Sequence, residues 1–380
     1  MVRFLHTADW QLGAKLAFLK EKAEDARETR LETVRRVMKL AKELDVDFVV
    51  IAGDLFEDHS VGSSVIREVV SLFHDPTLPV FVLPGNHDPL VPGGIWDRAN
   101  WNDRPSNIHF LDKREPIPVI AREDVLLYPC PLEQKASNLD PTAWIPKRDQ
   151  QTQDAIRIGV AHGSLNIWNK DVNFPIPPDR AVVSELDYLA LGDWHSYFSH
   201  RDRTYYSGTP EPTGFEEKGA GKVLEVEIGG PGQIPKVTRH DVAALTWEQQ
   251  EYDVAGKDDL EELLRRADEL KAPERTLWRV KLKGVADLDA ISIIGEIEAL
   301  LKERLYFLDL DSKGLKPAVS PEQLEALIPA GPVGEAAQDL LALSQGKIRN
   351  EIAQKYANVD PSVVQRALQL LYGLVKEGSA

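Results

Sequence analysis

Apolar residues follow two spacings along this chain, and the order of those spacings predicts a fold. Val2-Arg3-Phe4-Leu5-His6 reads as a strand. Residues 25–44 then place Leu31, Val34, Met38 and Ala41 on one helical face. Phe48-Val49-Val50-Ile51-Ala52 is continuous rather than alternating, which suits a strand buried on both sides. A second helical stretch, 63–73, leads into the strand Val80-Phe81-Val82-Leu83. Strand, helix, strand, helix, strand predicts parallel pairing through right-handed crossovers. In such sheets the working residues collect in loops at the strand C-termini.

Short strand-like pieces follow at 108–111, 117–120 and 125–128, and their spacing predicts a meander on a second sheet. Apolar runs at 156–161 and 188–191 repeat the earlier pattern, and strands at 204–208 and 222–228 close a two-sheet α/β sandwich near residue 240. The Gly229-Gly230-Pro231-Gly232 turn and the acidic stretch 248–259 mark a change of organisation. Beyond it, helices at 257–270 and 288–304 alternate with strands at 277–282 and 306–310, a small α+β module. From Ser320 the pattern is helical, with Pro321, Pro332 and Pro361 near helix starts and a stripe of Val364, Leu368, Leu371 and Val375 that needs covering. The expected domains are therefore 1–240, 241–312 and a helical tail, 313–380.

Composition narrows the class. A chain of 380 residues buries an ample core, and its one cysteine, Cys130, excludes an internal disulfide and fits a reducing cytoplasm. The N-terminus turns polar too early for a signal peptide, and no apolar run approaches the roughly 20 residues of a spanning helix. The expectation is a soluble cytoplasmic protein without a membrane partner. Net charge is -16, from 61 acidic and 45 basic side chains, with the tail balanced at 7 of each. That argues against tight autonomous binding of nucleic acid unless bound cations or a basic partner reverse the local sign.

The candidate chemistry sits at the strand ends. His87, His162 and His195 each follow an apolar strand, and Asp9, Asp54, Asn86 and Asp193 occupy equivalent loop positions. Mixed oxygen and imidazole donors suit two divalent cations about 3.5–4 Å apart, joined by a bridging carboxylate, and such a pair lowers a bound water's pKa for in-line attack on phosphorus. Asp54 is the expected bridge.

These residues resemble the calcineurin-like metallophosphoesterases, whose motifs D-x-H, GD, GNHD, a later H, and GHxH stand here as Asp9-Trp10-Gln11, Gly53-Asp54, Gly85-Asn86-His87-Asp88, His162-Gly163 and Gly192-Asp193-Trp194-His195. His6-Thr7-Ala8-Asp9-Trp10, Ala52-Gly53-Asp54-Leu55-Phe56 and Tyr206-Ser207-Gly208-Thr209-Pro210 are similar, more narrowly, to the SbcD-type DNA repair exonucleases. The resemblance covers roughly residues 1–240, and the 241–312 module resembles that family's capping domain by position alone. It implies that Asp9, Asp54 and His195 hold one metal and Asp54, Asn86 and His162 the other. His87 would orient the phosphate or protonate the leaving oxygen, with Asp88 supporting it. It further implies two Mn2+ ions, DNA phosphodiesters as substrate, an SMC-like coiled-coil ATPase of the SbcC type as partner, and a fold that allows a homodimer.

Gln11 replaces the histidine of D-x-H, and Asp193 replaces the first histidine of GHxH. Both retain an oxygen donor, and the harder set favours manganese or magnesium over zinc. Two other readings stand beside the DNA exonuclease: a phosphodiesterase acting on a small nucleotide or phosphodiester, and a noncatalytic scaffold subunit with a degenerate metal site. Candidate substrate contacts are His59, Trp96 and Arg98, with Arg104, Lys170, Arg201 and Arg203 as further phosphate contacts. Trp10 and Trp194 flank ligand positions and suit either base stacking or packing.

Overall fold

A computed structural model describes residues 1–119, 122–167, 172–286, 288–317, 331–356, 358–360, 363–364, 367–368 and 371. Lys170, Ile120, Ser320, Pro321, Pro361 and Val375 lie outside the described residues. The chain divides into two compact units, Met1–Trp247 and Glu248–Ala380.

The first unit is an α/β sandwich of two six-stranded sheets. In the first sheet, β1 (Val2–Thr7), β2 (Phe48–Ile51), β3 (Val80–Val82) and β4 (Ile108–Phe110) run parallel in that order. β11 (Lys222–Ile228) and β12 (Lys236–Asp241) extend it antiparallel beyond β1. The second sheet runs β5 (Ile117–Val119), β6 (Arg122–Cys130), β7 (Ile156–His162), β8 (Tyr188–Gly192), β10 (Thr204–Tyr206) and β9 (Phe198–His200), parallel from β6 to β10. Helices α1 (Ala23–Glu43) and α2 (Ser63–Leu72) make the first two crossovers, and the short α3 (Arg180–Val183) precedes β8.

The continuous apolar strands are explained by which faces they bury. Phe4, Phe48, Val50 and Phe81 point between the sheets, where they meet Ile158, Val160 and Tyr188. Their neighbours Leu5, Val49 and Ile51 point outward against Val34, Val37 and Met38 of α1 and Ile66 and Val69 of α2. Phe4 and Phe48 stack at 4.9 Å, and truncating a ring buried in this way costs about 3–5 kcal/mol. Residues 108–111 do not join a meander on the second sheet: β4 pairs parallel with β3, and only β5 and β6 begin the second sheet. The apolar alternation predicted the strand but not its partner, because the connection from β3 to β4 is long and irregular, with two 3-10 turns at Ile95–Asp97 and Ala99–Trp101.

In the second unit, β13 (Thr246–Val254), β14 (Thr276–Ala286) and β15 (Phe307–Pro317) form a three-stranded sheet, with α4 (Lys257–Glu269) and α5 (Leu288–Arg304) packed on it. Helices α6 (Pro332–Ser344) and α7 (Glu351–Lys355) follow. Val364 and Leu368 of the apolar stripe pack against Leu341 of α6. Among the described residues no helix is long and apolar enough to cross a membrane.

Candidate metal centre

Five parallel strands, β1, β2 and β3 of one sheet and β7 and β8 of the other, deliver their C-terminal loops to one place. The first two loops are zipped together by the backbone: Asp9 N donates to Gly53 O at 3.1 Å, Gln11 N to Asp54 O at 3.0 Å and Leu12 N to Leu55 O at 3.0 Å. Asp9, Gln11, Asp54 and Asp193 all take left-handed φ values, of 54°, 43°, 52° and 100°. That backbone turns each side chain sharply off its strand. Gly53 also has positive φ, and a Cβ there would overlap the His162 ring; one at Gly85 would overlap Asp54. Both positions need glycine because the strand ends approach so closely.

Asp9, Asp54 and His162 are fully or almost fully buried, and one donor atom from each lies within 4.8 Å of the other two. His162 Nε2 stands 2.7 Å from Asn86 Oδ1 and 3.4 Å from Asp54 Oδ2. Its Nδ1 sits 2.9 Å from the carbonyl of Ala52, which fixes the tautomer that leaves Nε2 to the centre. Asp54 Oδ1 accepts from His87 N at 2.9 Å, and Asp9 Oδ1 accepts from Asp193 N at 2.9 Å. Asp9 Oδ2, though buried, has no hydrogen-bond partner.

Charge tells the same story. Burial pushes the Asp9 carboxyl up to about 6, against the pull of His162 and His195. Burial alone would lower the His162 pKa, but the charge and hydrogen bond of Asp54, helped by Asp9 and Asp193, hold it well above its ordinary value. For Asp54, burial opposes ionisation, and His162 and His87 overcome it to hold the carboxyl low. A buried anionic cluster with an orphaned carboxylate oxygen, and a histidine whose Nδ1 is already engaged, is chemically suited to a divalent cation. The residues present fit the group.

His195, Gln11 and Asp193 are placed differently. His195 Nδ1 lies 2.6 Å from Glu217 Oε1 and its Nε2 lies 3.1 Å from Gln11 Nε2. Burial would lower the His195 pKa, but the bond to Glu217, with the charge of Asp9, raises it to about 9. Glu217 in turn accepts from Thr213 N at 2.7 Å and from Thr213 Oγ1 at 2.5 Å. The Asp193 side chain accepts from Ser164 Oγ at 2.5 Å. No motif in the sequence points to Glu217 or Ser164. The four-residue spacing of Thr213 and Glu217 is the only cue, and it fits an ordinary loop brace equally well.

His87 Nδ1 stands 2.9 Å from the Glu57 carbonyl, leaving Nε2 available. Asp88 does not support His87: its carboxylate accepts from Phe56 N at 3.0 Å and Gly85 N at 2.7 Å, so it braces the backbone of two loops, and burial pushes its pKa up to about 7. Trp96 is only 8% exposed and stacks on Trp101 at 5.7 Å, which removes it as a surface for substrate. Arg98 is spent on the carbonyls of Val61 and His59, and so is not a free phosphate contact. His59 Nδ1 accepts from Ile95 N at 3.1 Å, so its ring anchors the same loop. Trp10 is buried edge-on against Phe73. For Asp88, Trp96, Arg98 and His59 the backbone carbonyls and amides of the loops take up the side chain's hydrogen bonds.

Residues 2–224, more than half of the chain, match the calcineurin-like phosphoesterase family. The chain belongs to that family. As a calcineurin-like phosphoesterase it is a hydrolase, of a family that uses divalent metals, and the Asp9, Asp54 and His162 cluster lies within the matched span. It is 25% identical over 283 residues to the uncharacterized metallophosphoesterase YhaO of Bacillus subtilis, covering 70% of this chain and 66% of that one. It is 24% identical over 295 residues to the DNA double-strand break repair protein Mre11 of Methanopyrus kandleri, covering 70% and 62%. To SbcD of the SbcCD nuclease of Bacillus subtilis it is 25% identical over 271 residues, covering 61% and 67%. The chain thus spans about two thirds of the length of these curated relatives.

Proposed function

We propose that this phosphoesterase is a DNA phosphodiesterase, an exonuclease or endonuclease of DNA repair, working with two divalent cations, most suitably Mn2+. The observation that carries the reading is the convergence of buried Asp9, Asp54 and His162 with Asn86, in an arrangement that leaves Asp9 Oδ2 without a partner. Asp54 would bridge. Asp9, Gln11 and His195 would complete one site and Asn86 and His162 the other, with Asp193 beside them. Bound there, the cations supply Lewis acidity toward the phosphoryl oxygens and water.

The chain's own residues do the rest. Asn86 and His162, the latter held by the Ala52 carbonyl, would hold the cation on one side. His87, anchored through Nδ1 on Glu57 O, directs Nε2 outward, where it orients the phosphate or hands a proton to the leaving oxygen. Residues 241–312 would handle the substrate. The tail, 313–380, would attach an SMC-like coiled-coil ATPase, and a homodimer is compatible with the same reading. The similarity to Mre11 and to SbcD supports the DNA assignment.

A second reading has an observation of its own. Of the candidate phosphate contacts, Arg98, Arg104 and Arg203 are bound to backbone carbonyls while Arg201 is exposed, on a chain of net charge -16. This favours a small nucleotide or phosphodiester as substrate. Purified protein assayed in manganese on linear and single-stranded DNA and on bis-p-nitrophenyl phosphate separates the two. Degradation of DNA is expected; hydrolysis of the small ester alone would overturn the DNA assignment.

A further inference from the structure

The metal centre has a neighbour that the phosphodiesterase reading does not use. Trp194, between Asp193 and His195, is 54% exposed, whereas Trp10, Trp96 and Trp101 are buried. A single exposed indole needs no explanation. This one, however, forms a wall of a cavity of about 120 Å3, whose other apolar walls are Leu165, Ile167, Val172 and Phe198. The cavity lies beside the centre, because its lining includes Ser164, two residues past His162, and Asp193, whose N–H is bonded to Asp9.

The hydroxyls in its lining are already engaged. Ser164 Oγ donates to Asp193, and the Tyr206 hydroxyl donates to Gly163 O at 2.7 Å while accepting from Leu165 N at 2.8 Å. A ligand entering here therefore meets mainly apolar walls and an indole face, with the Asp193 carboxylate on the side of the centre. Apolar protein cavities of roughly 150 Å3 accommodate benzene, so this smaller cavity takes the edge of a ring system, the rest of which would lie at its mouth against the half-exposed Trp194. A flat, apolar-faced group tethered next to a phosphoester is the description of a nucleobase.

We propose that this cavity, with Trp194 as its stacking wall, is the subsite for the nucleobase beside the scissile phosphate, and that it binds any base alike. The assignment of the ligand rests on the phosphodiesterase reading. Stacking on an aromatic side chain is tolerant of base identity, because every base offers a π-face. The subsite would thus give a protein of net charge -16 a hold on nucleic acid that does not depend on phosphate contacts.

Two measurements test this, on wild type, Trp194→Ala and Trp194→Phe. In calorimetry with manganese, wild type should bind deoxyadenosine 5′-monophosphate about tenfold more tightly than 2-deoxyribose 5-phosphate, and thymidine monophosphate about as well as the adenine nucleotide. Trp194→Ala should erase that difference, acting far more on the nucleotide than on the sugar phosphate, and Trp194→Phe should keep most of it. In kinetics, Trp194→Ala should raise KM for a single-stranded oligonucleotide and change little for one with an abasic sugar at the scissile step. Equal binding of the two ligands by wild type, or an equal loss of both in Trp194→Ala, overturns the subsite, and the cavity would then be a place for an apolar side chain of another protein. Base-dependent binding by a protein that cleaves no phosphodiester would uphold the subsite and overturn the reaction.

Discussion

The two halves of the centre are built in different ways. Around Asp54, the donors meet one another directly: His162 touches Asn86 and Asp54, and its Nδ1 faces the Ala52 carbonyl with Asp9 Oδ1 3.8 Å away. Around Gln11, which meets His195, two side chains are also tied to neighbours outside the motif, His195 to Glu217 and Asp193 to Ser164. The half whose residues match the family motifs assembles from those residues alone. The half that departs from them relies on braces supplied by other loops. A substituted site can therefore keep its geometry if a second layer of side chains holds what remains.

Breaking the shared element should do the most damage. Asp54→Ala removes the carboxylate common to both halves, and should lower phosphodiester hydrolysis by at least about 10^3-fold without lowering the content of secondary structure seen by circular dichroism. Unchanged turnover would exclude the two-cation mechanism.

Glu217→Ala should weaken metal binding in the Gln11 half about 10–100-fold and leave the Asp54 half intact, so metal titration should show one tight and one weakened equivalent. Glu217→Gln, which can still accept from His195, should recover part of the loss. Two equivalents weakened equally would mean the halves are not separate in the way described.

The smallest effect should come from restoring the motif. Gln11→His with Asp193→His should tighten the second equivalent by about tenfold and raise turnover modestly. A wild type that binds no metal and is inactive, rescued by the double change, would instead mark the natural site as degenerate.

The strand order around β1, β2 and β3 was legible because strands buried on both faces leave continuous apolar runs, and the helices between them carry their own period. The partner of β4 was not, since pairing across an irregular connection depends on the sandwich as a whole. In the site, Asp9, Asp54, Asn86 and His162 could be read from strand ends. Trp96 and Arg98 misled because loop residues near a motif must first satisfy the loop: the guanidinium of Arg98 holds carbonyls that no strand pairs. Glu217 was invisible because nothing local ties it to His195, 22 residues away.

The left-handed backbone at Asp9, Gln11, Asp54 and Asp193 has a thermodynamic consequence. Each such residue carries a conformational penalty of roughly 1–2 kcal/mol, concentrated where like charges are also crowded together. A cation that binds only the folded loops then acts as a folding ligand, adding about 2.7 kcal/mol of stability at a free concentration one hundred times its dissociation constant. The melting temperature of this protein should follow the cation concentration of its surroundings, so that metal supply governs how long the chain survives as well as how fast it works.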